Sequence, residues 1–213
     1  MPPSRTRHGR LLVLGEFALL CAVVTSCSAG NSADEAQQFS RMFVGYSANY
    51  TPASSPQELA EWSTLVVEGK VVDIIDGREH GRSHEDPSLA LSVSMVVEVE
   101  QSLKGKSGNL VHVEMPSPGN TPASSYKEVG AGLPVVLFLI PAHHELGIII
   151  DETAGRPEGE PLFQLTNPQG MVVGAESSVT HILEFATYPG SSLQDFYPDR
   201  THYPDDGDDP EGS

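Results

Sequence analysis

Leu91-Ser92-Val93-Ser94-Met95-Val96-Val97-Glu98-Val99-Glu100 decides the fold of this chain. Leu91, Val93, Met95, Val97 and Val99 take every second position, with Ser92, Ser94, Val96, Glu98 and Glu100 between them. A period of two belongs to a β-strand, whose successive side chains point to opposite faces. The stretch predicts a long strand with one apolar and one wet face. Upstream, Leu65, Val67, Gly69 and Val71 alternate in the same way. Downstream, Lys104-Gly105-Lys106-Ser107-Gly108 makes a turn, and Val111, Val113 and Met115 then alternate with His112 and Glu114.

Further along, residues 116–132 are rich in Pro, Gly and Ser and read as an exposed loop. Val135, Val136, Leu137, Phe138 and Leu139 run without a polar break, as expected of a strand covered on both faces. Residues 146–150 suggest another strand. Residues 163–173, with Asn167-Pro168-Gln169-Gly170 at their centre, read as a hairpin. Before the first strand, Ser55-Pro56-Gln57-Glu58 has the signature of a helix start: Ser as N-cap, Pro at the first helical position and Glu three residues after the cap. A short helix to about Ser63 follows, with Leu59 and Trp62, three apart, facing the core.

The sum is a mainly β chain: a small barrel of about five to six strands with one short preceding helix. This pattern resembles the OB-fold, particularly its netrin and metalloproteinase-inhibitor-like branch, over about residues 56–175. The resemblance rests on the opening strand, the long strand ending Leu103-Lys104-Gly105, the apolar strand of residues 135–140 and the late Gln169-Gly170 turn. That family inhibits metalloproteinases through an N-terminal Cys in a disulfide-held domain, an arrangement this chain lacks. The resemblance therefore implies a fold and no activity.

A second pattern concerns destination. Arg5, Arg7 and Arg10 precede a mostly Leu, Val and Ala run over residues 11–25, which ends in Val24-Thr25-Ser26-Cys27. A membrane-spanning helix needs about 20 apolar residues, and this run is shorter and interrupted by Glu16. The segment resembles a bacterial lipoprotein signal peptide with its lipobox. The resemblance implies a diacylglyceryl thioether on Cys27, cleavage just before it, and a palmitate-type anchor on the outer face of the cell membrane. Two acyl chains give stable attachment where one gives marginal binding.

On that reading the chain divides into a signal peptide (1–26), a polar tether (27–54), a barrel domain (55–185) and an acidic disordered tail (186–213) that carries Asp205, Asp206, Asp208 and Asp209. The tether holds Phe43, Tyr46 and Tyr50, three aromatics for which a linker has little use, and these are expected to dock on the domain, the alternative being that they form part of a binding surface. The whole chain carries a net charge of −17; without residues 1–26, 9 Lys and Arg face 28 Asp and Glu, a net −19. Such a field repels phosphate backbones and excludes nucleic acid as a natural partner, and favours cations or basic surfaces. Only two cysteines are present, Cys21 and Cys27, so a chain beginning at Cys27 has no internal disulfide and is stable through core burial alone.

Candidate chemistry is sparse. Residues 78–86 form a polar loop in this reading, and His80, His84, Glu85 and Asp86 within it are candidate ligands for a divalent metal. His143-His144-Glu145 starts like a zinc-protease motif but has Ile148 where the second His belongs. No Gly-x-Ser-x-Gly elbow or phosphate-binding glycine motif is present, and His112 and His181 have no spacing that enforces a triad. These features predict a non-enzymatic envelope lipoprotein without a cofactor. It acts as a binding or interaction module toward an envelope protein or cation, through the polar side of residues 91–100 and the loop 116–132. A metal-binding envelope protein and a secreted hydrolase of unrecognised type are the alternatives.

Overall fold

The computed structural model describes residues 31–46, 48–142, 148–175, 178–181 and 192–199. Three α-helices and seven strands are found among the described residues: α1 (Asn31–Arg41), α2 (Pro56–Trp62), β1 (Leu65–His80), β2 (Ala90–Lys104), β3 (Leu110–Pro116), α3 (Ala123–Gly130), β4 (Pro134–Pro141), β5 (Leu162–Leu165), β6 (Met171–Ala175) and β7 (Ser178–His181). The strands pair in the order β1-β2-β3-β5-β4-β6-β7, and β1 also pairs with β4. The first five therefore close on themselves. All these pairings are antiparallel except β3 with β5, which is parallel and only three residue pairs long, from His112–Leu162 to Glu114–Gln164. This is the OB-like ring expected from the sequence, irregular at the short β3–β5 seam.

Val67, Val71, Val93, Met95, Val97, Val111, Val113, Val135, Leu137 and Leu139 fill the inside of the ring, each buried. Removing that apolar surface from water is the dominant stabilising term, at roughly 25 cal/mol per Å². β4 is dry on both faces, as its unbroken apolar run requires. Its outward residues Val136 and Phe138 pack in a second cluster with Leu59, Ala60, Val66, Leu103 and Val172.

Several expectations are corrected. The supposed tether opens with α1, whose Ala36 and Phe39, together with Phe43 just beyond it, lie on one helical face and are buried in the main core. Phe39 and Phe43 meet edge to face at 5.4 Å, and Phe43 lies 5.3 Å from Tyr126. Tyr126 belongs to α3, inside the stretch expected to be an exposed loop; it and Ala123 bury against α1 and supply what makes a Pro- and Ser-rich segment helical. Gly130 lets α1 approach, since a Cβ there would stand 2.6 Å from the Phe39 ring. At the other end, Leu193 and Phe196 are buried in the second cluster, so the domain extends past residue 185; residues 200–213 lie outside the described residues.

Trp62 is 40% exposed, because α2 ends there and the chain leaves extended from Ser63; Leu59 and Ala60 carry the packing instead. Lys104 holds that end, its Nζ donating to the carbonyl oxygens of Ala60 and Ser63 at 2.7 Å each, a cation on the negative pole of the helix. Residues 163–173 are not a hairpin. β5 and β6 both run antiparallel to β4 along the same edge, and residues 166–170 make an excursion opposite Phe138, closed by Thr166 N–H to Phe138 O and Phe138 N–H to Gly170 O. Of the strand expected at 146–150, the described part makes a single bridge, Ile149 to His80.

Candidate functional site

β1 runs further than its sequence suggests. Register shifts between Asp76 and Glu79 carry the strand through Gly77 and Arg78 to His80, which pairs with Ala90. This moves Arg78 and His80 out of the expected loop and onto the outer face of the sheet, beside Ser92 of β2 and Glu114 of β3. Arg78 is 1% exposed. A guanidinium at that depth needs a paired charge, since burying an isolated ion costs several kcal/mol.

Glu114 provides the pair. Arg78 Nε donates to Glu114 Oε1 at 2.8 Å and Arg78 Nη2 donates to Oε2, a bidentate fork. His80 Nε2 lies 3.1 Å from the same Oε1, and the Ser92 hydroxyl lies 2.9 Å from both Oε1 and the Arg78 carbonyl oxygen. Burial alone would raise the pKa of this carboxyl. The hydrogen bonds from Arg78, His80 and Ser92 and the charge of Arg78 outweigh it and bring the group to about 2. Glu114 is therefore an anion throughout the physiological range. An ionised carboxylate only accepts, so the imidazole proton sits on His80 Nε2 and leaves Nδ1 as an acceptor in the neutral ring.

A cleft of about 380 Å³ opens beside this cluster. His80, Ser92 and Glu114 form one side; Tyr46 and Tyr50, from the stretch after α1, and Gln164 and Asn167, from β5 and the excursion that follows it, form others. Gln169 fixes the tyrosine-bearing stretch in place. It is buried, accepts from Ala53 N–H at 2.7 Å and donates to Ala53 O at 3.4 Å. The Tyr46 phenol is half-buried, and that burial raises its pKa. Beyond His80 and Ala90 the surface dips again into a shallower depression of about 440 Å³.

The rest of this outer face is closed. Residues 148–161 form a strap: Gly81 N–H donates to Ile148 O, Ile150 N–H donates to Glu79 O, and Gly155 sits against Ser94 and Gly77. Gly155 has a φ of +82°, and a Cβ there would come within 3.1 Å of the Ser94 side chain. Positions 92–97 of the strand expected to have a wet face are consequently buried on both sides, and exposure on that face is confined to Ala90 at one end and to Glu98, Glu100 and Ser102 toward the other. Beneath the strap, Ser94 Oγ, His112 Nδ1 and Arg156 Nη1 have no hydrogen-bond partner among the described residues. Burial, opposed by Glu160 and reinforced by Arg156, lowers the pKa of His112.

The four expected metal ligands are not brought together. His80 turns to Glu114, whereas exposed His84 meets Glu79 at 2.6 Å. Asp86 caps its own loop, accepting from Arg82 N–H, Ser88 N–H and Ser88 Oγ, and Glu85 is exposed. The cause is local: His80 is the last residue of a strand and His84 lies in the turn beyond it, so the two imidazoles do not share a face as residues four apart on a helix would. Among the described residues no three His, Cys, Asp or Glu side chains are arranged to hold a metal ion. Cys27 and His143-His144-Glu145 lie outside the described residues, and no helix among those described is long and apolar enough to cross a membrane.

The chain matches no known protein family model, and a search of curated proteins finds nothing similar. The reading of the site rests on its own geometry. Ser, His and Glu meet here, but the carboxylate lies between the other two. The Ser92 hydroxyl is taken up by Glu114 and a carbonyl rather than by an imidazole, so the histidine base of a Ser-His-Glu triad is not in contact with it. The arrangement suits holding a ligand against a rigid polar wall.

Proposed function

We propose that this chain is an extracytoplasmic lipoprotein, anchored through a diacylglyceryl group on Cys27, whose OB-like domain is a non-enzymatic binding module with the tyrosine-lined cleft as its ligand site. The observation that supports a binding role is Glu114. Among the described residues it is the one carboxylate in the cleft wall, and it is held ionised by Arg78, His80 and Ser92, which leaves it unsuited to shuttle protons. Rigid, pre-satisfied polar walls with aromatic neighbours are what small-molecule sites are made of. The anchor is supported by the lipobox and by the arginine-rich start before an apolar run.

Intact mass of protein extracted from its native membrane, beside a Cys27→Ala variant, tests the anchor. A species beginning at Cys27 with added acyl mass, absent in the variant, is the expected result. An unlipidated species cut elsewhere overturns it. Incubation of the protein with chromogenic ester, amide and glycoside substrates tests the non-enzymatic role: no turnover is expected, and turnover that disappears in Ser92→Ala would establish a hydrolase.

A further inference from the structure

The cleft is electrically balanced. Glu114 is the one ionic side chain lining it among the described residues, and Arg78 cancels its charge from behind. There is no unpaired charge to fix an ionic ligand, and the net charge of −17 keeps anions away. Two groups nevertheless remain to be hydrogen-bonded: His80 Nδ1, an acceptor when the ring is neutral, and the Tyr46 hydroxyl, half-buried and without a partner among the described residues. An apolar ligand would bury both unsatisfied, which disfavours it. A ligand bearing several hydroxyls satisfies an acceptor and a donor at once, while its C–H face lies against the negative face of a tyrosine ring.

The backbone around the cleft argues against an extended peptide, which would add to an open strand edge. Leu91 N–H already donates to Asn120 Oδ1, Leu91 O accepts from Ser117 N–H, and Thr166 N–H donates to Phe138 O. Beyond His80, the second depression gives a chain-like ligand room to continue.

We infer that the cleft binds a neutral, polyhydroxylated chain, a short oligosaccharide, held by the Tyr46 and Tyr50 rings and by His80. This inference rests on the cleft being the ligand site. It is tested by calorimetric titration of the full-length protein in detergent with two neutral tetrasaccharides, β-1,4-linked N-acetylglucosamine and α-1,4-linked glucose, and with a neutral tetrapeptide as comparator. At least one saccharide is expected to bind. Tyr46→Ala and His80→Ala are each expected to weaken it by about tenfold or more, with Tyr46→Phe, which keeps the ring, losing less. Thermal unfolding of each variant shows that the fold is retained. Failure of both saccharides to bind at millimolar concentration, or binding indifferent to Tyr46→Ala and His80→Ala, overturns the inference. If the peptide binds instead with the same Tyr46 dependence, the glycan assignment falls and the binding module stands; turnover of the chromogenic substrates removes both.

Discussion

Where β1, β2 and β3 meet around Ser92 and Glu114, the inner and outer faces of the sheet are both buried, but by opposite chemistry. Inside, Val93, Met95, Val111 and Val113 lose contact with water and ask nothing of their neighbours beyond shape. Outside, Arg78, Glu114 and Ser92 are buried almost as deeply and are tolerable only as a set. An apolar face survives the loss of a member by leaving a cavity. A polar face that loses one member leaves the others with uncompensated charge, and that asymmetry is what experiments can probe.

The sharpest probe is Glu114→Gln, which replaces an acceptor-only carboxylate by an amide whose NH₂ faces donors. It is expected to lower stability by about 3–5 kcal/mol in urea unfolding, as breaking a buried pair does. Arg78→Met combined with Glu114→Leu is expected to recover most of that loss. If Glu114→Gln costs less than about 1 kcal/mol, the two faces do not differ in the way described.

Acid acts on the same face. Folding lowers the Glu114 carboxyl from 4.5 to about 2, so its contribution is complete above about pH 4.5 and is lost as the pH falls toward 2. The full contribution is on the order of 3 kcal/mol. His112, also lowered, contributes fully above about pH 6.5 and erodes on acidification below it. Urea midpoints measured from pH 8 to pH 2 should therefore fall in two stages. His112→Asn is expected to flatten the first and leave the second; an unchanged first stage would assign it to another group.

Gln169→Ala comes next in size. It removes the side-chain acceptor of the buried Ala53 N–H, at an expected cost of about 1–3 kcal/mol, and loosens the stretch that carries Tyr50. Hydrogen exchange at Ala53 should accelerate more than at Val113, and equal acceleration would mean that the stretch and barrel open together. Ser94→Ala is the smallest change. The Ser94 hydroxyl has no partner among the described residues, so its removal is expected to shift stability by no more than about 0.5 kcal/mol, in the stabilising direction.

The two faces also differ in how they were written in the sequence. Alternation in β1, β2 and β3 and the unbroken run in β4 were legible because the inside of the ring selects apolar residues at fixed intervals. The outer face was not, because Ser92, Ser94 and Glu114 look solvated until the strap at 148–161 is laid over them. Arg78 and His80 resembled a loop, since Gly77 and the bulge before Glu79 break the period of two. The helices α1 and α3 were hidden in polar and Pro-rich segments, where a few residues, Ala36, Phe39, Phe43, Ala123 and Tyr126, carry most of the packing. Of the cleft, Tyr46 and Tyr50 were conspicuous as aromatics in a polar stretch, whereas their meeting with His80 depends on Gln169, more than a hundred residues away from them.

The docking of α1 has a mechanical consequence. Only Ser28, Ala29 and Gly30 separate Cys27 from the first residue of that helix, and even a fully extended chain spans at most about 3.6 Å per residue. A lipid on Cys27 would then hold the barrel on a leash of roughly 14 Å, shorter than the domain is wide. The module would ride on the bilayer surface as a seated body with restricted tumbling, and its cleft, entered a few residues after α1, would sample a thin layer next to the headgroups instead of sweeping the space beyond.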